Sequence, residues 1–64
     1  SNDLDRGQIV QMDSWIDRPA GIARVKYRGA TWDARVEGEY QDGDVLRIRG
    51  QENGVLNVGV NRPQ

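Results

Sequence analysis

Few side chains in this sequence can take part in bond-making or proton transfer. Aliphatic hydroxyls occur at Ser1, Ser14 and Thr31, and there is no His and no Cys. A Ser-His or Cys-His pairing, in which an imidazole takes the nucleophile's proton, is therefore missing from these 64 residues. Lys26 is the single lysine, and a lysine becomes a base when burial lowers its pKa. It shares a strand face with Arg24, where water and like charge are the expected surroundings, so a solvated face is the simpler reading. Asp42-Gly43-Asp44 offers carboxylates of the kind calcium takes, but the regular ligand spacing and the closing bidentate Glu of a calcium loop are missing. A turn with Asp on either side of Gly accounts for the same residues. The expectation is a chain with no catalytic residue, no metal site and no cofactor.

Binding chemistry is the remaining candidate. Arg24, Lys26 and Arg28 fall on one face of a strand, and Arg47 and Arg49 on one face of another. Such rows would suit nucleic-acid phosphates if exposed aromatic residues were interleaved for base stacking. Tyr27 and Trp32 instead share the parity of the apolar residues, which leaves Trp15 and Tyr40. Asp33 and Glu37 lie close enough to offset the arginines, and nine basic against ten acidic residues give a formal net charge of −1. Cross-strand ion pairs are the simpler account of the rows. Trp15 and Ile16 stand between the polar residues Ser14 and Asp17. They either cap the open end of a small barrel or form an exposed anchor, since aromatic residues are enriched at interface hot spots. Ile22, apolar on a basic face, extends either arrangement.

The elements that must position these residues read as strands. Eight Gly and no sustained 3.6-residue apolar period leave no place for a helix. A first strand is expected from Gly7 to about Asp13, with Ile9, Val10 and Met12 as its apolar residues, followed by a loop from Ser14 to Ala20 in which Pro19 disfavours a ladder position. From Gly21 to Tyr27, Ala23, Val25 and Tyr27 share a face. Arg28-Gly29 makes a tight turn, and Ala30, Trp32, Ala34 and Val36 form the inner face of the next strand. Glu37 to Asp44 is a polar link with Tyr40 as its apolar anchor. Leu46 and Ile48 then alternate with Val45, Arg47 and Arg49. Gln51 to Gly54 is a hairpin turn, and Leu56, Val58 and Val60 share a face of the last strand, with Gly59 at a bulge or close approach. Five short strands with no helix predict an all-β, five-stranded OB-fold-like small barrel. An SH3-like barrel has a similar strand count; the long first loop and the tight second hairpin favour the OB arrangement. A closed barrel also suits a chain this short, which has neither disulfide nor thiolate–imidazole metal to staple it.

Several of these residues resemble the C-terminal soluble domain of the NfeD family. The likeness is carried by Gly21, Ala23 and Val25, then Gly29, Trp32 and Ala34, then Gly43, Leu46 and Ile48, and finally Gly54, Leu56 and Val58. It spans Gly7 to Val60. The Gln51 to Asn53 turn is longer than the usual link, and the Trp15-Ile16 pair is a departure from the family's pattern. The resemblance implies an OB-fold domain attached to a membrane region of a parent protein; the soluble domain is expected to be cytoplasmic, though the sequence does not fix the membrane side. It further implies a role in membrane assemblies beside stomatin-, prohibitin- or flotillin-like partners, the membrane itself being reached only through parts of the parent outside this chain.

The expected organisation is a lead-in or tag remnant at residues 1–6, the barrel at 7–60 and a frayed tail at 61–64. The expected function is a non-enzymatic protein–protein interaction module that docks such a partner or a copy of itself. Trp15, Ile16 and Ile22 would supply apolar contact; Arg24, Lys26, Arg47 and Arg49 would supply charge matching. The alternative is a single-stranded nucleic-acid-binding OB domain.

Overall fold

The structure, a computed structural model, describes residues 5–60. Among them are five strands: β1 (Ile9–Asp17), β2 (Ile22–Tyr27), β3 (Ala30–Val36), β4 (Val45–Glu52) and β5 (Val55–Gly59). They close into a barrel in the order β1-β2-β3-β5-β4, with β1 paired to β4. Every neighbouring pair is antiparallel except β3 and β5, which run parallel. No helix among the described residues is long and apolar enough to cross a membrane.

Alternation sets which side chains fill the barrel, because successive residues of a strand face opposite sides. The core takes Val10 and Met12 from β1, Ala23, Val25 and Tyr27 from β2, and Ala34 and Val36 from β3. Leu46 and Ile48 of β4 and Leu56 and Val58 of β5 complete it. Trp32 is half-buried against this cluster and meets Tyr27 edge-on, with ring centroids 6.3 Å apart. Two positions expected inside lie outside: Ala30 is exposed at the mouth of the β2–β3 hairpin, and Val60 is 42% exposed because β5 ends at Gly59.

The first strand departs most from expectation. It does not stop near Asp13 but continues to Asp17, and the connection to β2 shrinks to the turn at 18–21. Two register irregularities, between Met12 and Ser14 and between Trp15 and Asp17, make this possible. Each inserts an extra residue that bends the strand and resets its facing. Met12 and Trp15 consequently both face inward although they are three residues apart, opposite Val25 and Ala23 respectively.

Two-residue turns close the β2–β3 and β4–β5 hairpins. Arg28 and Gly29 have φ of 52° and 76°, and Asn53 and Gly54 have φ of 55° and 78°, the positive values that two-residue hairpin turns require. The second turn is therefore shorter than the sequence suggested, since Gln51 and Glu52 remain in the ladder opposite Leu56 and Val55. Gly21 is needed at the other end: at φ 74°, a Cβ there would sit 3.0 Å from the Val36 carbonyl oxygen. Residues 1–4 of the expected lead-in and the tail at 61–64 lie outside the described residues. Asp5 and Arg6 belong to a turn, and the Tyr27 hydroxyl donates to the Asp5 carboxylate at 2.6 Å.

Candidate functional site

The barrel has two ends. One holds both hairpin turns and the incoming 5–7 turn; the other holds the 18–21 turn and the long 37–44 link. Trp15 belongs to the second end. Its indole Nε1–H donates to the Tyr40 carbonyl oxygen at 2.9 Å, and the Arg18 guanidinium lies 5.1 Å from its ring centre. Arg18 also pairs with Glu39 and donates to the Tyr40 carbonyl. The half-buried Trp15 and Tyr40 thus cover this end together, each packed on the core. Ile16, the extra residue at the second irregularity, is 54% exposed, so the pair is divided: Trp15 covers the barrel end and Ile16 lies in solvent. Ile22 is half-buried beside the 18–21 turn.

The basic residues of β2 are held by acids. Arg24 faces Asp33 in direct register and bonds its carboxylate at 3.1 Å. Lys26 approaches Asp13 of β1 at 3.7 Å. Arg28 lies over the Tyr27 ring, 5.4 Å from its centre. Exposed pairs of this kind contribute little to stability, about 0.5 kcal/mol or less. They do neutralise the face, and no exposed aromatic side chain stands on it to stack a base.

On β4, Arg47 donates to the Gly7 carbonyl oxygen at 2.8 Å and Arg49 pairs with Glu37. Arg49 sits at an irregularity between Ile48 and Gly50. Its stem crosses β5 at Gly59, where a Cβ would meet the Arg49 Cδ at 3.3 Å. The bare backbone of Gly59 is what lets this arginine reach from β4 to the end of β3. Asp42-Gly43-Asp44 forms a turn in which the Asp44 carboxylate accepts from the Gln41 amide at 2.9 Å, and no group of three or more acidic side chains among the described residues could hold a metal ion.

Sequence reasoning missed two features. Ile9 (53% exposed) and Val45 (60% exposed) lie on the outside of the β1–β4 wall. Ile9 is opposite Arg47 and Gln11 opposite Val45, so the two apolar residues are diagonal neighbours. The outward parity of Val45 was visible, but its neighbour depended on the β1–β4 register. The second feature is Arg35 on β3, exposed and without an ion pair or hydrogen bond among the described residues. It stands opposite the half-buried Asn57 of β5. Nothing local marks it, because its isolation follows from what β5 places beside it.

One ionisation is shifted. The hydrogen bond to Asp5, together with burial of the ring, raises the Tyr27 hydroxyl above the usual phenol range, while nearby Arg28 acts in the opposite direction.

Comparison with protein-family models and with curated proteins gives no match. Among solved structures, the C-terminal domain of stomatin operon partner protein 1510-C from Pyrococcus horikoshii is similar, with a TM-score of 0.77. The likeness covers 98% of this chain and 97% of that one at 20% sequence identity. At the level of fold it bears out the resemblance drawn from the glycine and core positions, and the five-stranded OB-like barrel with it.

Proposed function

We propose that this domain is a non-enzymatic protein–protein interaction module, the soluble barrel of an NfeD-like membrane protein working beside a stomatin-, prohibitin- or flotillin-like partner. The observation that carries the proposal is the end-to-end likeness to a domain named as a stomatin operon partner. The outer wall of β1 and β4 supports it, because Ile9 and Val45 hold apolar surface in water beside polar Gln11 and Arg47. Apolar side chains ringed by polar ones are the usual make-up of a docking patch. Ile16 adds a second exposed apolar group beyond the Trp15 cap.

The test is titration of a purified stomatin-like protein into the chain, followed by calorimetry. Binding is expected, and Ile9→Glu with Val45→Glu should weaken it at least about tenfold, or about 1.4 kcal/mol. Both side chains point outward, so the variant should keep the wild-type melting profile. Absence of binding to stomatin-, prohibitin- and flotillin-like proteins would remove the proposal. Oligonucleotide binding that falls steeply with salt and is lost in Arg24→Ala and Arg47→Ala would replace it with the nucleic-acid reading.

A further inference from the structure

The outer wall of β3, β5 and β4 carries more arginines than acids, and among the described residues Arg35 has no acidic partner there. Two shallow depressions lie on it. One, of about 340 Å³, is lined by Arg35, Glu37, Arg49, Asn57 and Val58. The other, of about 280 Å³, is lined by Arg6, Gly7, Arg47, Ile48 and Arg49. They meet at Arg49 in one trough, the first part lying over β5 and the second over β4 beside the 5–7 turn; a third depression, of about 290 Å³ and lined by Glu37, Gly38, Tyr40, Arg49 and Val60, adjoins them at the same arginine. The floor over β5 is low because the outward residues of β5 include Asn57 and Gly59, flanked by arginines from β3 and β4. Arg35, Arg47 and Arg49 line this trough against one acid, Glu37, while Arg6 at its edge is engaged in an interaction of its own. Neither Arg35 nor the Asn57 amide has a hydrogen-bond partner among the described residues.

We propose that this trough binds an extended acidic segment of a partner protein. The proposal rests on the interaction-module reading and names the chemistry of one of its contacts. Arg49 already holds a carboxylate there, that of Glu37, so the trough is shaped for the group it would receive. The guanidinium of Arg35 offers a planar fork of donors to a second carboxylate, and a bidentate contact of that type is directional as well as strong. Asn57, between the two arginines, can both donate to and accept from a peptide backbone. Crossing from β3 to β4 spans two strand spacings, about 10 Å, which is about three residues of extended chain. Side chains of an extended chain alternate between faces, so acidic residues at i and i+2, about 7 Å apart on one face, would approach Arg35 and Arg49 together. A nucleic acid fits less well, since Tyr40, the aromatic residue at the Glu37 end, is half-buried against the core and the whole chain is net negative.

The experiment is fluorescence polarisation with a labelled peptide of about ten residues carrying Glu at every second position, its Gln analogue as control. The acidic peptide should bind at low salt and the Gln analogue should not. Arg35→Gln removes an exposed, unpaired side chain and should weaken binding at least about fivefold. Arg24→Gln makes the same charge change on the opposite wall and should alter it by less than about twofold. Glu37→Gln frees Arg49 and should tighten binding about threefold, where Glu39→Gln should not. Equal losses from Arg35→Gln and Arg24→Gln would overturn the proposal, as would equal binding of the Gln analogue. Displacement of the peptide by a single-stranded oligonucleotide at lower concentration would also overturn it, in favour of a phosphate surface. Loss of the peptide site with stomatin-like binding intact would sink the trough alone, whereas failure of the latter would sink the module reading itself.

Discussion

On the outer face of β2, the strand cations meet acids: Arg24 bonds Asp33 and Lys26 approaches Asp13. On the wall of β3, β5 and β4, Arg35 meets none among the described residues and Arg49 must reach across a strand to find Glu37. Both walls belong to one barrel and carry similar numbers of basic side chains, so composition does not separate them. Register does. The antiparallel β2–β3 ladder puts Arg24 directly opposite Asp33. The parallel β3–β5 ladder puts Arg35 opposite Asn57, and β5 supplies no acid at all between Val55 and Gly59. A self-satisfied wall holds the sheet together and offers little to a partner. An unsatisfied one costs some repulsion and is where an external carboxylate gains most.

The largest expected effect breaks the second wall at its floor. Gly59 is buried under the Arg49 stem, so Gly59→Val places a branched side chain where the arginine now runs. Arg49 must leave, Glu37 loses its partner, and the crowding should cost about 2 kcal/mol of stability. Urea unfolding followed by Trp fluorescence reads this directly. An unchanged midpoint would mean that Arg49 does not depend on the glycine.

A smaller effect is expected on the first wall. In a double-mutant cycle with Arg24→Ala and Asp33→Ala, the coupling energy should be about 0.5 kcal/mol or less and should shrink with added salt. Both side chains are more than half exposed, so water screens the pair. A coupling several times larger would show that the first wall is held by its charges, and the contrast between the walls would then be one of strength rather than of vacancy.

How much of this contrast the sequence reveals depends on whether a feature is set by one strand or by two. Val25, Ala34, Leu46, Ile48, Leu56 and Val58 are legible as core because alternation within a single strand decides their facing. Asp33 as a neutraliser of the β2 row is legible because a two-residue turn fixes the register of its hairpin. The continuation of β1 to Asp17 is not, since two irregularities shift Met12 and Trp15 onto the same side and erase the two-residue period. Arg35 and the Ile9–Val45 pair are not legible either. Their neighbours come from β5 and β4, strands distant in the chain, and no local pattern announces a β3–β5 or β1–β4 pairing. Val60 continues the alternation of Leu56 and Val58 in sequence, yet the ladder that would bury it ends one residue earlier.

The smallest effect concerns how the trough keeps its far rim. Asp5 accepts from the Tyr27 hydroxyl, and the turn that follows brings Arg6 and Gly7 against Arg47. Because the bond to Asp5 and burial raise the Tyr27 pKa in the folded state, the folded protein keeps that proton more tightly than the unfolded chain does. The stabilising contribution is therefore fully present below the ordinary tyrosine pKa of about 10 and is lost as pH rises past it. At neutral pH a titration shows nothing. From neutral pH upward, the stability gap between the wild type and Tyr27→Phe should stay constant to about pH 10 and narrow above it. A gap that stayed constant well above pH 10 would contradict the assignment of the tyrosine as donor. If the narrowing is accompanied by weaker peptide binding, the 5–7 turn is part of the second wall; the first wall, whose pairs lie away from this turn, should not respond.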